Sequence, residues 1–165
     1  MAFSPNKTPI EVIKEPASGC TYFGDIYSGI NEKWYKNSWK EFVHLKNINA
    51  KFYGSDCYDV NVNKYGVKCG TSLRFWENKG WINKIDPYGW FQWYFRYWLG
   101  RRSKDDKRQI NRWKKIVSRF RGKLEKMIGN ADSKYDDYSI SPKIRQILLH
   151  WGYELTQKDF FNELN

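Results

Sequence analysis

A chain of 165 residues, 41% of them hydrophobic, excludes a disordered protein and fits one domain with a full apolar core. Its 29 Lys and Arg against 18 Asp and Glu give a net charge of +11, and its aromatics reach 19%. No run approaches the ~18 uncharged apolar residues of a membrane span, and no basic segment followed by an apolar one opens the chain as a secretory signal does. Cys20, Cys57 and Cys69 form no CxxC pair, and only His44 and His150 could join them, so neither a disulfide framework nor a bound metal is expected. The composition implies an intracellular protein, cytoplasmic or nuclear, with no membrane partner and no cofactor.

In chain order, residues 1–19 hold Pro5, Pro9 and Pro16 and read as an extended N-terminal arm, with residues 20–165 as a single compact domain. Between Tyr22 and Tyr35 aromatics alternate with Gly24 and Gly29, which predicts short strands and turns. Ser38 opens a short predicted helix with Trp39, Phe42 and Val43 on one side, and residues 46–57 read as loop. Residues 58–62 alternate apolar and polar at period two, the pattern of a half-buried strand.

The helical punctuation beyond residue 70 is clearer. Thr71 or Ser72 caps a helix that stops at Gly80. Asp86-Pro87 reads as an N-cap with proline at the first helical position, opening a helix over 88–99. Ser103 caps the next, over about 104–128, which stops at Gly129-Asn130; an acidic polar loop follows to residue 139. Ser141-Pro142 repeats the cap-proline start, and that helix ends near Gly152. Thr156 with Asp159 suggests a capping box for a last short helix. The expected fold is α+β: a mostly helical C-terminal two-thirds packed on a small aromatic-rich sheet or hairpin near the N-terminus.

The helix over 88–99 is aromatic nearly all round, broken only by Gln92 and Arg96, which share a face. Such a helix belongs at the centre of a domain, so Trp90, Trp93 and Trp98 are expected to be buried. Tyr and Trp carry polar atoms that need partners, so some of these rings are expected to reach a cleft, with Gln92 and Arg96 as its polar groups. The alternative for Arg96 is a structural carboxylate such as Asp136 or Asp137.

The charge is concentrated. Residues 96–126 carry 13 Lys and Arg and three acids, which leaves +1 for the other 134 residues. Ile110, Trp113, Val117, Phe120, Leu124 and Ile128 form an apolar stripe, and Lys104, Arg108, Arg112, Lys115, Arg119, Lys123 and Lys126 gather on nearly the opposite face. Acids at i,i+4 spacing are scarce after Asp106. A cationic face of this kind suits nucleic acid, DNA or RNA, because Lys and Arg displace counterions from phosphates. The expected contacts are Arg74, Arg101, Arg102, Lys104, Arg108, Arg112, Lys115, Arg119 and Lys123. The alternatives are an enzyme acting on nucleic acid and a module that binds an acidic protein.

Residues 72–82 read Ser-Leu-Arg-Phe-Trp-Glu-Asn-Lys-Gly-Trp-Ile. This stretch resembles the second helix of MerR-type winged helix-turn-helix proteins, which implies Ser72, Arg74 and Phe75 at a DNA backbone or groove. The run over 86–113, with Asp-Asp-Tyr-Ser-Ile-Ser-Pro-Lys-Ile-Arg-Gln at 136–146, is similar to a family of hypothetical proteins without an assigned activity, and implies no residue roles. Neither GxxxxGK[ST] nor GxGxxG occurs. Asp105-Asp106-Lys107 imitates a metal-nuclease element only loosely, and Asp56 and Asp59 with Asp25 or Glu32 form a carboxylate cluster only if the fold gathers them. His150 reads as a histidine packed at a helix end.

Overall fold

The computed structural model describes residues 1–161. Within the N-terminal segment read as extended, Pro9–Lys14 form a helix, α1. Thr8 accepts a hydrogen bond from the Glu11 N–H, and the Glu11 carboxylate accepts one from the Thr8 N–H at 2.7 Å. This reciprocal cap, with proline at the first helical position, stabilises a helix of only six residues. Val12 and Ile13 are fully buried beneath it.

Two three-residue strands follow, β1 (Ile26–Ser28) and β2 (Lys33–Tyr35), paired antiparallel with Ile26 opposite Tyr35. Tyr27 and Trp34 stack edge to face across the pair. The helix expected from Ser38 is two successive 3-10 turns, Ser38–Glu41 and Val43–Leu45. The strand expected over 58–62 is a 3-10 turn, Val60–Val62, capped by the Asp59 carboxylate. The sheet has only β1 and β2 among the described residues, so this segment pairs with neither, and an unpaired strand leaves its backbone groups unsatisfied.

Five further helices make up the body: α2 (Leu73–Asn78), α3 (Trp90–Trp98), α4 (Asp106–Asn130), α5 (Pro142–His150) and α6 (Gln157–Phe161). This is a mostly helical C-terminal two-thirds packed on a small N-terminal hairpin. α3 is its centre, with Trp90 to Phe95 buried. Phe42 stacks on Phe95 at 4.2 Å, and Trp90 lies 4.4 Å from Trp151. The buried indoles have acceptors: Trp90 Nε1 donates to the His150 carbonyl, Trp93 Nε1 to Asp106, and Trp113 Nε1 to the Trp151 carbonyl. Trp98 departs from expectation and is exposed; it stands on the last turn of α3.

Gly89 sets the start of α3. Its φ is +87°, and a Cβ there would meet Ile82 at 2.6 Å. Asp86 is therefore not the N-cap that Asp-Pro suggested. The apolar stripe of α4 is as expected, with Trp113, Val117, Leu124 and Ile128 fully buried. The acidic loop after α4 folds back onto α5, because the buried Arg145 guanidinium donates to the carbonyls of Tyr135, Asp137 and Ile140.

Candidate functional site

Not all of the cations expected to act together are free to do so. Asp86 is wholly enclosed and holds one of them, Arg101, together with Arg96. Arg101 grips it with two bonds of 2.7 and 2.6 Å, and Arg96 Nη1 approaches at 2.9 Å. Arg96 also forms a two-bond pair with Glu41. Its partners are thus Glu41 and Asp86, not Asp136 or Asp137. Gln92 is buried and accepts from the Tyr88 N–H. Arg102 lies over the Tyr97 ring and donates to the Tyr97 carbonyl.

Arg108 and Arg112, on the first turns of α4, reach across to one acceptor. Both donate to the Trp81 carbonyl, at 3.1 and 3.3 Å. Arg108 is also clamped by the buried Asp105 through bonds of 2.6 and 2.8 Å. These two arginines dock the 80s loop onto α4. Arg112 sits between two indoles, 5.6 Å from the Trp81 ring and 5.4 Å from that of Trp151. Burial, and then the neighbouring Arg108 charge, pull its pKa down to about 10, which leaves it cationic at neutral pH.

Further along α4 the picture changes. Lys115, Arg119, Lys123 and Lys126 are exposed. Among the described residues none of them has an ion-pair partner. Glu125, the acid nearest in sequence, pairs with Arg121. Spacings of four, four and three place the four cations on one face over about 16 Å of helix. Lys104 and Arg74 are also exposed, the latter on α2.

This cationic row runs to the rim of a cavity of about 740 Å³. α4 contributes Arg112, Lys115, Ile116 and Phe120 to its wall; α2 contributes Leu73, Phe75 and Trp76 on another side; Trp90 and Trp151 close it further in. Phe75 and Trp81 stand edge to face, 5.8 Å apart and both about 40% exposed. Gln92 and Arg96 are not among the lining residues.

His150 ends α5 and lines the same cavity. Its Nδ1 is enclosed without a hydrogen-bond partner among the described residues. Burial pulls its pKa down to about 4, so the imidazole is neutral at physiological pH. Cys69 also lines the cavity, and burial pushes its thiol up to about 11; a thiol held protonated is a poor nucleophile.

Four of the acids considered for chemistry, Asp25, Asp56, Asp59 and Asp106, accept hydrogen bonds that hold the local fold. Asp56 accepts from the Asp25 N–H, Asp25 from the Asn37 N–H, and Asp59 from the Asn61 N–H. Asp106 accepts from Ser103 and Trp93. Among the described residues no group of three His, Cys, Asp or Glu could hold a metal ion, and no helix is long and apolar enough to cross a membrane.

The residues that sequence reasoning missed are Trp81, Trp76 and Trp151. Trp81 follows a helix-ending glycine, where an exposed indole is the available signal. The rest depend on tertiary packing. Compared with protein-family models, with curated proteins and with solved structures, the chain gives no match in any of the three.

Proposed function

We propose that this chain binds nucleic acid through the exposed face of α4, with Lys115, Arg119, Lys123 and Lys126 on the phosphates. The observation that carries the reading is a row of four cations without acid partners among the described residues, ending at a rim of exposed aromatic rings. Self-repulsion along such a row is relieved by a polyanion. Phe75 and Trp81 add base-stacking surfaces worth ~1–3 kcal/mol per base. A duplex hides its base faces, so the aromatic rim favours unpaired segments. Arg74 and Lys104 are peripheral contacts in this reading. Arg101, Arg102, Arg108 and Arg112 act chiefly as struts that hold the surface in shape.

The test is a gel-shift series over single-stranded DNA, single-stranded RNA and duplex at two salt concentrations, with poly-glutamate as competitor. The expected result is salt-sensitive binding, tightest for single strands and resistant to excess poly-glutamate. Equal displacement by poly-glutamate would move the assignment to an acidic protein partner. No binding at low salt would overturn the reading.

A further inference from the structure

The cavity beside α4 has more structure than strand binding requires. Four indoles line it: Trp76, Trp81, Trp90 and Trp151. Its volume of about 740 Å³ falls within the ~300–1,000 Å³ of sites that enclose a small molecule. Such sites combine apolar walls with a few placed polar groups, and three of those on this lining are Arg112, Lys115 and His150. The Arg112 guanidinium uses Nη1 on the Trp81 carbonyl and Gln109, while its Nε and Nη2 make no hydrogen bond among the described residues. Lys115 stands exposed on the lining. His150 brings an enclosed Nδ1 with no hydrogen-bond partner among the described residues. The acid on the lining, Asp56, already has Oδ1 engaged by the Asp25 N–H.

Apolar walls alone would suit an acyl chain as well as a ring. Flat indole faces and a guanidinium with free N–H groups favour a planar π-system that carries an anion. We infer that the cavity takes one nucleotide, its base among the indoles and its phosphate on Arg112 and Lys115. The nucleotide is either free or an unpaired unit of a strand. The inference rests on the reading of α4 as a phosphate-binding helix, since Lys115 belongs to both surfaces.

The test uses the full chain and isothermal titration calorimetry with AMP, CMP, GMP and UMP, beside adenosine and ribose 5-phosphate. Ile116→Trp fills the cavity from the α4 wall, and Leu73→Trp fills it from α2 should the first variant fail to fold. The triple variant Arg119→Ala/Lys123→Ala/Lys126→Ala alters the row outside the cavity. At least one nucleotide should bind saturably, and adenosine and ribose 5-phosphate at least tenfold more weakly. A filled cavity should weaken the nucleotide at least tenfold, whereas the triple variant should weaken an oligonucleotide more than it weakens the nucleotide. If the source is a strand, filling should also weaken an intact oligonucleotide and leave an abasic one unchanged. If it is free nucleotide, filling should spare both. No saturable nucleotide binding, or equal binding after filling, would overturn the inference. Salt-sensitive oligonucleotide binding that persists in either case would leave the α4 reading standing, so the two failures are distinguishable.

Discussion

Asp86 has no exposed side-chain surface, yet it answers two guanidiniums. Removing one member of a buried pair costs ~3–5 kcal/mol, because the remaining charge is left without a partner. Here the arginines keep some contact with water, so Asp86→Asn should cost about 3 kcal/mol, at the low end of that range; urea denaturation reads it. The sequence pointed to Asp86 as a helix cap because Asp-Pro is a frequent cap. What it withheld was Arg101, 15 residues on, which folds back to claim the carboxylate. The choice of Glu41 for Arg96 is equally tertiary, because 55 residues separate them. His150 makes a second residue-scale prediction. Its native pKa is lowered from an ordinary 6.5 to about 4, so the unfolded chain takes up the proton first as pH falls. Stability should be unaffected by this group above pH 6.5 and decline between about 6.5 and 4, by up to ~3 kcal/mol. His150→Phe should flatten that part of a stability-against-pH curve; an unchanged slope would show that the imidazole is not buried in solution.

At the scale of elements, α4 divides into two lengths. Its first turns are a clamp, and its middle and end are an open cationic row. Arg108→Ala/Arg112→Ala should release the 80s loop, since both side chains hold the Trp81 carbonyl. Hydrogen bonds from charged donors are worth ~1.5–3 kcal/mol each, so a loss of a few kcal/mol is expected, with faster proteolysis near Trp81. Neutralising Lys115, Arg119, Lys123 and Lys126 should instead leave stability nearly unchanged. Periodicity made the apolar stripe of α4 legible, because it depends only on residue spacing. The same periodicity could not separate strut from free cation, because the Trp81 carbonyl that holds Arg108 and Arg112 enters from outside the helix. α1 was legible too: Thr8, Pro9 and Glu11 spell a cap, proline start and return carboxylate. Three prolines within residues 1–19 drew the reading towards extended chain. The alternation over 58–62 misled because period two describes a strand only where a neighbouring strand exists to pair with it.

Across the whole molecule, the ends are joined by charge. Lys7 and Lys64 both contact Glu15 and Glu154, linking the N-terminal segment, the turn at 64 and the segment after α5. Lys7 N–H donates to the Gly152 carbonyl, and Asn6 and Glu154 exchange bonds. Gly152 lies at φ +71°, where a Cβ would press on Tyr94 and the Lys7 carbonyl. Burial raises the Glu154 carboxyl pKa, but the bonds from Lys64 and Lys7 outweigh it, and the net shift is downward. A lowered carboxyl contributes stability above its ordinary 4.5, and that contribution is lost as pH falls through the native value. Glu154→Gln should therefore cost about 1–2 kcal/mol at pH 7 and shrink the loss seen below pH 4.5. A variant as stable as the wild type at both pH values would remove this cluster from the account.

The measurement that bears most directly on function is the affinity for a labelled single strand as a function of salt, in the wild type and in Lys115→Ala/Arg119→Ala/Lys123→Ala/Lys126→Ala. Each lost phosphate contact should flatten the slope of log K against log salt by roughly 0.7 on a single strand. Four contacts predict a change approaching 3, with far-UV dichroism unaltered and binding weakened alike for all sequences. The same affinity and the same slope in both proteins would mean that the α4 face carries only water and counterions, and would contradict the assignment.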